Sequence, residues 1–268
     1  MKEFFGFGGY MREPEGYMSW QHLLFVTSLM IIMTALAVWI GLKYKNKEDR
    51  AKSFPLIIAA IMIDTVEIFK IVMMCVRADD PLGWLTELPL FLCSIQLITI
   101  PLAAFAKGRI KDAALDFVFI FGVLGALLGT YAAGQNYACY PVLSLDNVAS
   151  GITHSISGFS ALYIGISGLA SMKRKNLCIT FAILLSFCAA AMAANLILDY
   201  NYMFLMRGDG TPYDIVYNIV GGNAVLYPIF VVLLFVIYIL AFHFIFNYFR
   251  NKAAANKADQ KELAASVK

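Results

Sequence analysis

The chain alternates between long apolar segments and short polar ones, and this pattern predicts a polytopic membrane protein. A spanning helix needs about 20 mostly apolar residues, because a helix rises about 1.5 Å per residue across a hydrocarbon core of roughly 30 Å. Seven segments reach that length, and they are residues 21–42, 54–76, 84–106, 112–133, 148–171, 177–199 and 221–249. The predicted fold is all-α. It is a seven-helix transmembrane bundle over residues 1–249, followed by a basic tail over 250–268.

The distribution of Lys and Arg predicts the orientation of this bundle. The loops after the first, third and fifth segments, together with the tail, hold 16 of these residues, and the opposite side holds four. Positive charge collects on the cytoplasmic side of membrane proteins. The N-terminus is therefore predicted to lie outside and the tail in the cytoplasm. The loop over residues 200–220 then lies outside, where it could cover the mouth of the bundle as a lid.

Composition excludes several classes of protein. Of 268 residues, 60% are hydrophobic and 15% are charged, and mean hydropathy is +0.72. A soluble globular domain is about half apolar and a quarter charged. The net charge of +3 is too small to predict a nucleic-acid partner. The five cysteines form no C-x-x-C pair, so neither a metal site nor a cofactor is predicted.

Ionisable residues inside the predicted spans are the candidates for chemistry, because they are costly to bury in a membrane. In the second segment, Glu67 and Lys70 are three residues apart and share a helix face, with Asp64 one turn deeper. A structural ion pair between helices is the alternative interpretation. The fifth segment carries His154, which could act as a base, as a proton relay or as a hydrogen-bonded structural residue. Cys93 in the third segment is either a nucleophile or a small buried packing residue.

The predicted topology places the polar residues of five segments in the outer half of the bundle. One outward-opening polar cavity would explain this placement. The candidate residues are His22, Glu67, Lys70, Glu87, Cys93, Gln96, His154, Asn195, Asp199, Asn201 and Tyr202. In the fourth segment, Gly125 and Gly129 have the spacing of a close helix-packing motif, and packing is the function predicted for them.

Several of these stretches resemble the YwaF-like family of bacterial integral membrane proteins. The similar pieces are SWQHLL (19–24), ELPLFLCSIQL (87–97), the His154 segment, NYMFLMR (201–207) and NIVGGNAVLYP (218–228). The chain departs from that family at Phe91, where the family often has His. The family in turn resembles a eukaryotic membrane family of phospholipid acyltransferases that act through a cysteine and a histidine. The resemblance implies acyl transfer as the reaction class and a bacterial plasma membrane as the location.

The first functional hypothesis is therefore a lipid acyltransferase or transacylase at the outer leaflet, with membrane phospholipids as its partners. Cys93 would be the nucleophile, or a serine or water would attack directly. His154 would be the general base, and Glu67 or Glu87 would orient that base. Lys70 or Asn195 would stabilise the oxyanion. His22, Gln96, Asp199, Asn201 and Tyr202 would complete the substrate site.

Two alternatives remain open from the sequence. In the first, the carboxylates and His154 bind a proton, cation or small solute, which would make the chain a transporter or a receptor-like binding protein. In the second, every polar residue finds an intramolecular partner and the chain is a structural or assembly protein. The sequence predicts neither the substrate nor the oligomeric state.

Overall fold

The computed structural model describes the backbone of residues 2–266 and the side chains of residues 3–256. Every regular element within these residues is helical. The helices α1 to α10 are Lys2–Phe5, Trp20–Tyr44, Asp49–Ala78, Gln96–Phe105, Gly108–Tyr131, Gly134–Cys139, Leu145–Ser167, Leu177–Leu198, Tyr213–Ile219 and Leu226–Ser266. Short 3₁₀ turns cover Gly83–Glu87, Arg174–Asn176 and Tyr202–Phe204.

Local chemistry fixes several helix ends. The Ser19 hydroxyl accepts from the backbone N–H of His22 at 3.2 Å and caps the start of α2. Ser144 caps α7 in the same way, accepting from the N–H of Asn147 at 3.2 Å. Such caps satisfy amide donors that have no partner within the helix. Helix α7 ends at Gly168, whose φ of 78° is the left-handed conformation that glycine adopts without strain.

Four helical stretches are long and apolar enough to cross a membrane. They are Trp20–Tyr44, Gly108–Cys139, Arg174–Leu198 and Leu226–Asn256. Helices α3 and α7, of 30 and 23 residues, have the length but a more polar composition. The molecule is thus a helical membrane protein, while the count of seven spans and the orientation stay predictions.

The third predicted span is not one continuous helix. The 3₁₀ turn Gly83–Glu87 is followed by irregular backbone over residues 88–95, and α4 begins only at Gln96. Pro89 explains the break, because proline pushes the preceding residue out of the helical region. Leu88 has φ −57° and ψ 145°, which is extended backbone. The prediction of a single helix here was wrong, because apolar content reports burial and not backbone conformation.

Helix α7 occupies the centre of the bundle, with its most extensive contacts to α5, α2 and α3. Small residues permit this close packing. A Cβ placed on Gly158 would lie 2.3 Å from Met33 Sδ in α2 and 2.7 Å from Ala126 Cβ in α5. A second core joins α5, α8 and α10 around Phe121, Leu184 and Val231. The ends of α3 and α8 and the starts of α2, α7 and α10 lie at the same end of the bundle as residues 3–18, and we call it the N-terminal end.

Candidate active site

The break in the third segment positions Cys93. The Ser94 hydroxyl accepts from the Phe91 N–H at 2.9 Å and donates to the Phe91 carbonyl at 3.1 Å. The N–H of Ile95 donates to the same carbonyl at 3.0 Å, which closes a helix-like turn just before α4. Cys93 lies inside this turn and is partly exposed. Its thiol therefore stands at the N-terminal end of α4, where a helix favours negative charge.

His154 lies in the third turn of α7, and its hydrogen bonds determine its tautomer. Nδ1 is 2.7 Å from the carbonyl oxygen of Ser150. A carbonyl can only accept, so Nδ1 carries the proton and the neutral ring has its lone pair on Nε2. That Nε2 atom is buried and has no hydrogen-bond partner among the described residues. The free lone pair is what a general base requires.

Two glycines of α5 seat these side chains. A Cβ at Gly129 would lie 1.9 Å from His154 Cδ2 and 2.0 Å from Nε2, so only glycine leaves room for the ring. A Cβ at Gly125 would lie 3.7 Å from the Cα of Cys93, which is ordinary contact. The two glycines are one helical turn apart on one face. The close packing predicted for them is confirmed, but the groups that pack there are the imidazole and the cysteine.

The thiol and the imidazole consequently meet. The side chains of Cys93 and His154 lie within interaction distance of each other, although no aligned hydrogen bond joins them. Catalytic pairs are often loose before substrate binds. Glu67 is close enough for its charge to act on the His154 ring. The structure therefore brings together three of the four residues for which a catalytic role was predicted.

The fourth, Glu87, belongs to an ion cluster beside them. Lys70 Nζ is 2.7 Å from Glu67 Oε1 and 2.8 Å from Glu87 Oε2. The predicted pairing of Glu67 with Lys70 is confirmed, and Glu87 joins it from the 3₁₀ turn of the broken segment. One of these carboxylates belongs to α3 and the other to the 3₁₀ turn, so the Lys70 ammonium links α3 to this turn.

The polar residues predicted near the end of α8 organise the loop that follows it. Asn195 Nδ2 donates to the Tyr202 carbonyl at 3.0 Å, and the Tyr202 N–H donates to Asn195 Oδ1 at 2.6 Å. The Tyr202 hydroxyl donates to the Leu85 carbonyl. Asn201 Nδ2 donates to the Arg207 carbonyl at 2.7 Å. These side chains hold the backbone of residues 199–211 in place.

An aromatic cover results from this loop, and we call residues 200–213 the outer loop, after the outside location predicted for it from the sequence. The Phe91 ring is 5.2 Å from the Tyr202 ring and 5.8 Å from the Phe204 ring, measured between centroids. Tyr213 stacks on Phe204 at 5.6 Å. Phe91 is two residues before Cys93, so the outer loop packs directly beside the candidate nucleophile. Aromatic side chains thus occupy the side of the site next to Phe91.

Comparison with protein families shows where this arrangement belongs. The family model described as the TMEM164 family matches residues 17–246. The chain belongs to the TMEM164 family. The matched range contains Cys93, His154 and the Lys70 cluster. No curated protein and no solved structure matches the chain.

Membership in the TMEM164 family shows the coarser part of the resemblance drawn from sequence stretches. The comparisons give no support to the YwaF-like assignment or to a bacterial source. They do support the coarser statement, a membrane protein family with a helical bundle.

Of the predicted substrate-binding residues of this TMEM164-family chain, His22 is held by backbone groups and Asp199 ends a helix. His22 is fully buried; its Nδ1 accepts from the Met18 N–H at 3.2 Å and its Nε2 bonds the Thr130 carbonyl at 3.1 Å. Both ring nitrogens are therefore occupied by backbone. Asp199 is the exposed C-cap of α8, with a left-handed φ of 50°.

Gln96 stays a candidate. It is fully buried one turn after Cys93, and its Oε1 accepts from the Thr99 hydroxyl at 3.1 Å. Its Nε2 atom has no partner among the described side chains and backbone. A buried amide group without a partner costs free energy, so a substrate oxygen is a chemically suitable acceptor for it.

Sequence reasoning missed an ion pair at the N-terminal end of the bundle. Arg77, at the end of α3, contacts Asp146, at the start of α7, through two nitrogen–oxygen pairs at 2.7 and 3.0 Å. The Tyr10 hydroxyl donates to Asp146 and accepts from Arg77. Arg77 could have indicated this ion pair, because a lone arginine at the edge of an apolar segment needs a partner.

Burial and this pairing shift the pKa values of both acids in the cluster. Burial alone would raise the pKa of Asp146, but the hydrogen bonds from Arg77 and Tyr10 outweigh it and hold that pKa below its usual value. Burial, followed by the neighbouring Asp146 carboxylate, raises the pKa of Tyr10 to about 12. Residues 3–18 are thereby fastened across the ends of α3 and α7.

Proposed function

We propose that this TMEM164-family chain is a membrane-embedded lipid acyltransferase in which Cys93 is the nucleophile and His154 the general base. One observation carries the proposal. The His154 ring, whose unprotonated Nε2 has no hydrogen-bond partner among the described residues, lies beside the Cys93 thiol. A thiol paired with an imidazole is an activated nucleophile for acyl transfer.

The proposed reaction has two halves. His154 Nε2 takes the proton of the Cys93 thiol, and the sulfur attacks the ester carbonyl carbon of a phospholipid, converting the C=O into an oxyanion. As the oxyanion collapses, the carbon–oxygen ester bond breaks and the departing lyso-lipid alkoxide takes the proton from His154. The acyl chain is left on sulfur as a thioester. A lyso-lipid hydroxyl then gives its proton to His154 and attacks the thioester, and the thiolate leaves and recovers the proton.

Glu67 is the positioning residue in this proposal. Its charge acts on the His154 ring and favours the imidazolium that forms when the thiol proton moves. Lys70 fixes Glu67 at 2.7 Å. Glu87 therefore acts one step further away, by holding Lys70.

Seven spans and an external N-terminus are part of the same proposal. Helices α3 and α7 are long enough to cross a bilayer, and their polar side chains meet inside the bundle rather than at its lipid face. With the N-terminus outside, Cys93 and the outer loop lie in the outer half, within reach of outer-leaflet ester groups. Broken backbone at that depth is tolerated where protein covers it, as the outer loop does.

The test is acyl transfer by the purified protein in vesicles that contain a phospholipid with a labelled acyl chain and an unlabelled lyso-lipid acceptor. We expect labelled product from the wild type and none above background from Cys93→Ala or His154→Ala. Cys178→Ala is the matched control, because Cys178 is exposed at the start of α8, at the end of the bundle opposite the N-terminal end. Unimpaired transfer by Cys93→Ala would refute the assignment of Cys93 as the nucleophile. A silent wild type would favour the transporter or binding-protein alternative.

A further inference from the structure

Three consecutive backbone amides, those of Leu92, Cys93 and Ser94, have no oxygen acceptor among the residues that the structure describes. The turn from Phe91 to Ile95 is bonded like the first turn of a helix, and the leading N–H groups of such a turn have no carbonyl behind them. No carbonyl or side-chain oxygen among the described residues accepts from the N–H of Leu92, Cys93 or Ser94. The amides of Cys93 and Ser94 lie within interaction distance of the Cys93 sulfur.

The side chains first considered for charge stabilisation are occupied elsewhere. Lys70 is held between Glu67 and Glu87, at 2.7 and 2.8 Å. Asn195 uses both its amide nitrogen and its oxygen on the Tyr202 backbone. Lys70 and Asn195, the residues predicted from the sequence to stabilise the oxyanion, are therefore engaged elsewhere, and other donors must fill that role.

We infer that the backbone N–H groups of Cys93 and Ser94 form the oxyanion hole for acyl transfer at Cys93, an inference that rests on the proposed function. When the sulfur attacks an ester carbonyl, the carbonyl oxygen becomes negative within bonding range of atoms next to the sulfur. Preorganised amide donors at that position stabilise the charge without moving. Consecutive amides of this kind form anion-binding concavities in many proteins.

Groups other than the start of α4 also point to a ligand at these amides. His154 Nε2 is a second buried polar atom without a hydrogen-bond partner in the part of the chain that the structure describes, and its ring lies beside the same sulfur. A Cβ placed on Gly125 would lie 3.7 Å from the Cα of Cys93, so α5 packs against the turn that carries these amides. The donor amides, the nucleophile and the base thus converge on one group, the ester carbonyl of a lipid.

The test replaces one amide by an ester, which removes the N–H and keeps the side chain. The α-hydroxy analogue of serine is incorporated at position 94 of the full chain, and the protein is reconstituted in vesicles with labelled phospholipid and lyso-lipid. The control is the α-hydroxy analogue of alanine at Ala103, whose amide lies in the interior of α4. A second readout is the alkylation rate of Cys93 by iodoacetamide, a reaction that forms no oxyanion. Thermal unfolding in detergent compares the folding of the proteins.

We expect the ester at position 94 to lower acyl transfer by about 10²–10³-fold, the effect of losing one oxyanion donor. Alkylation of Cys93 should fall far less, and the ester at Ala103 should leave transfer near the wild-type rate. Transfer that falls no further than in the Ala103 control would overturn the inference. So would an equal fall in transfer and alkylation, because the amide would then act on the thiolate alone. A wild-type protein that transfers no acyl groups would instead refute the proposed function.

Discussion

At the scale of single residues, the site depends on the lack of a side chain at Gly125 and Gly129 of α5. Gly129 has no side chain where the His154 ring lies, and Gly125 has none where the Cys93 backbone approaches. The same spacing is typical of plain helix packing. Here it accommodates a pair of polar side chains, which need a fixed mutual distance for the proposed proton transfer.

The two glycines provide a matched pair of substitutions. Gly129→Ala places a Cβ 1.9 Å from His154 Cδ2, so the ring must move. We expect acyl transfer to fall by about 10²-fold, the order of loss that a misplacement of 1 Å causes. Gly125→Ala, whose Cβ meets Cys93 at 3.7 Å, should keep most of the activity. Thermal unfolding must first show that both variants are folded. Comparable activity in the two would then contradict the claim that Gly129 is needed to accommodate the His154 ring.

At the scale of elements, the broken third segment is held by contacts on both sides. Lys70 of α3 binds Glu87 of the 3₁₀ turn at 2.8 Å, and the Tyr202 hydroxyl of the outer loop binds the Leu85 carbonyl. Irregular backbone has few internal hydrogen bonds, so neighbouring elements must fix it. The position of Cys93 therefore depends on α3 and on the outer loop as much as on α4.

Loss of the central cation should loosen this arrangement. Lys70→Met leaves two carboxylates facing each other, and we expect a loss of about 2–4 kcal/mol in the free energy of unfolding, reduced because Glu87 is 30% exposed and partly screened. Thermal unfolding in detergent micelles measures it as a lower Tm. The neutral triple variant Lys70→Met, Glu67→Gln, Glu87→Gln should recover much of the lost stability. A Tm unchanged by Lys70→Met would show that the cluster does not hold the elements together.

The elements also show what the sequence could and could not predict. Apolar length located six of the seven segments as single helices, because burial in lipid imposes that length on any helix. It failed at residues 88–95, where Pro89 and the Ser94 turn decide the backbone. Pairing of Glu67 with Lys70 followed from helical spacing, and His154 and Cys93 were singled out by residue type. The roles of Asn195 and His22 could not be predicted, because their partners are backbone groups, and a sequence pattern does not report which backbone group a polar side chain reaches.

At the scale of the whole molecule, residues 3–18 connect helices that are distant in the chain. The Tyr10 hydroxyl bonds Asp146, and the Tyr17 hydroxyl donates to the Tyr131 carbonyl at 2.9 Å. Glu15 accepts from the Val142 N–H at 2.8 Å. This segment therefore closes the N-terminal end of the bundle over α3, α5 and α7.

Acid should release this segment in a defined pH range. The pKa of Asp146 is lower in the folded protein than its usual value of about 3.9, so its interactions stabilise the fold above that pH. They are lost as the pH falls through the lowered folded-state pKa. Measured from pH 7 to pH 3, the Tm of the wild type should exceed that of Asp146→Asn at neutral pH, and the difference should shrink in the acidic range. A difference that grew on acidification would reverse the sign and reject the assignment.

The central claim is that Cys93 carries the acyl group, and the most direct measurement is the mass of the protein after exposure to lipid. The purified wild type is incubated with acyl-labelled phospholipid without an acceptor, digested, and analysed by mass spectrometry. The account predicts one acyl chain on the peptide containing Cys93, removed by neutral hydroxylamine as a thioester is, and absent from Cys93→Ala. The same label on another residue, or acyl transfer that proceeds with no adduct on Cys93 in a quenched time course, would contradict it.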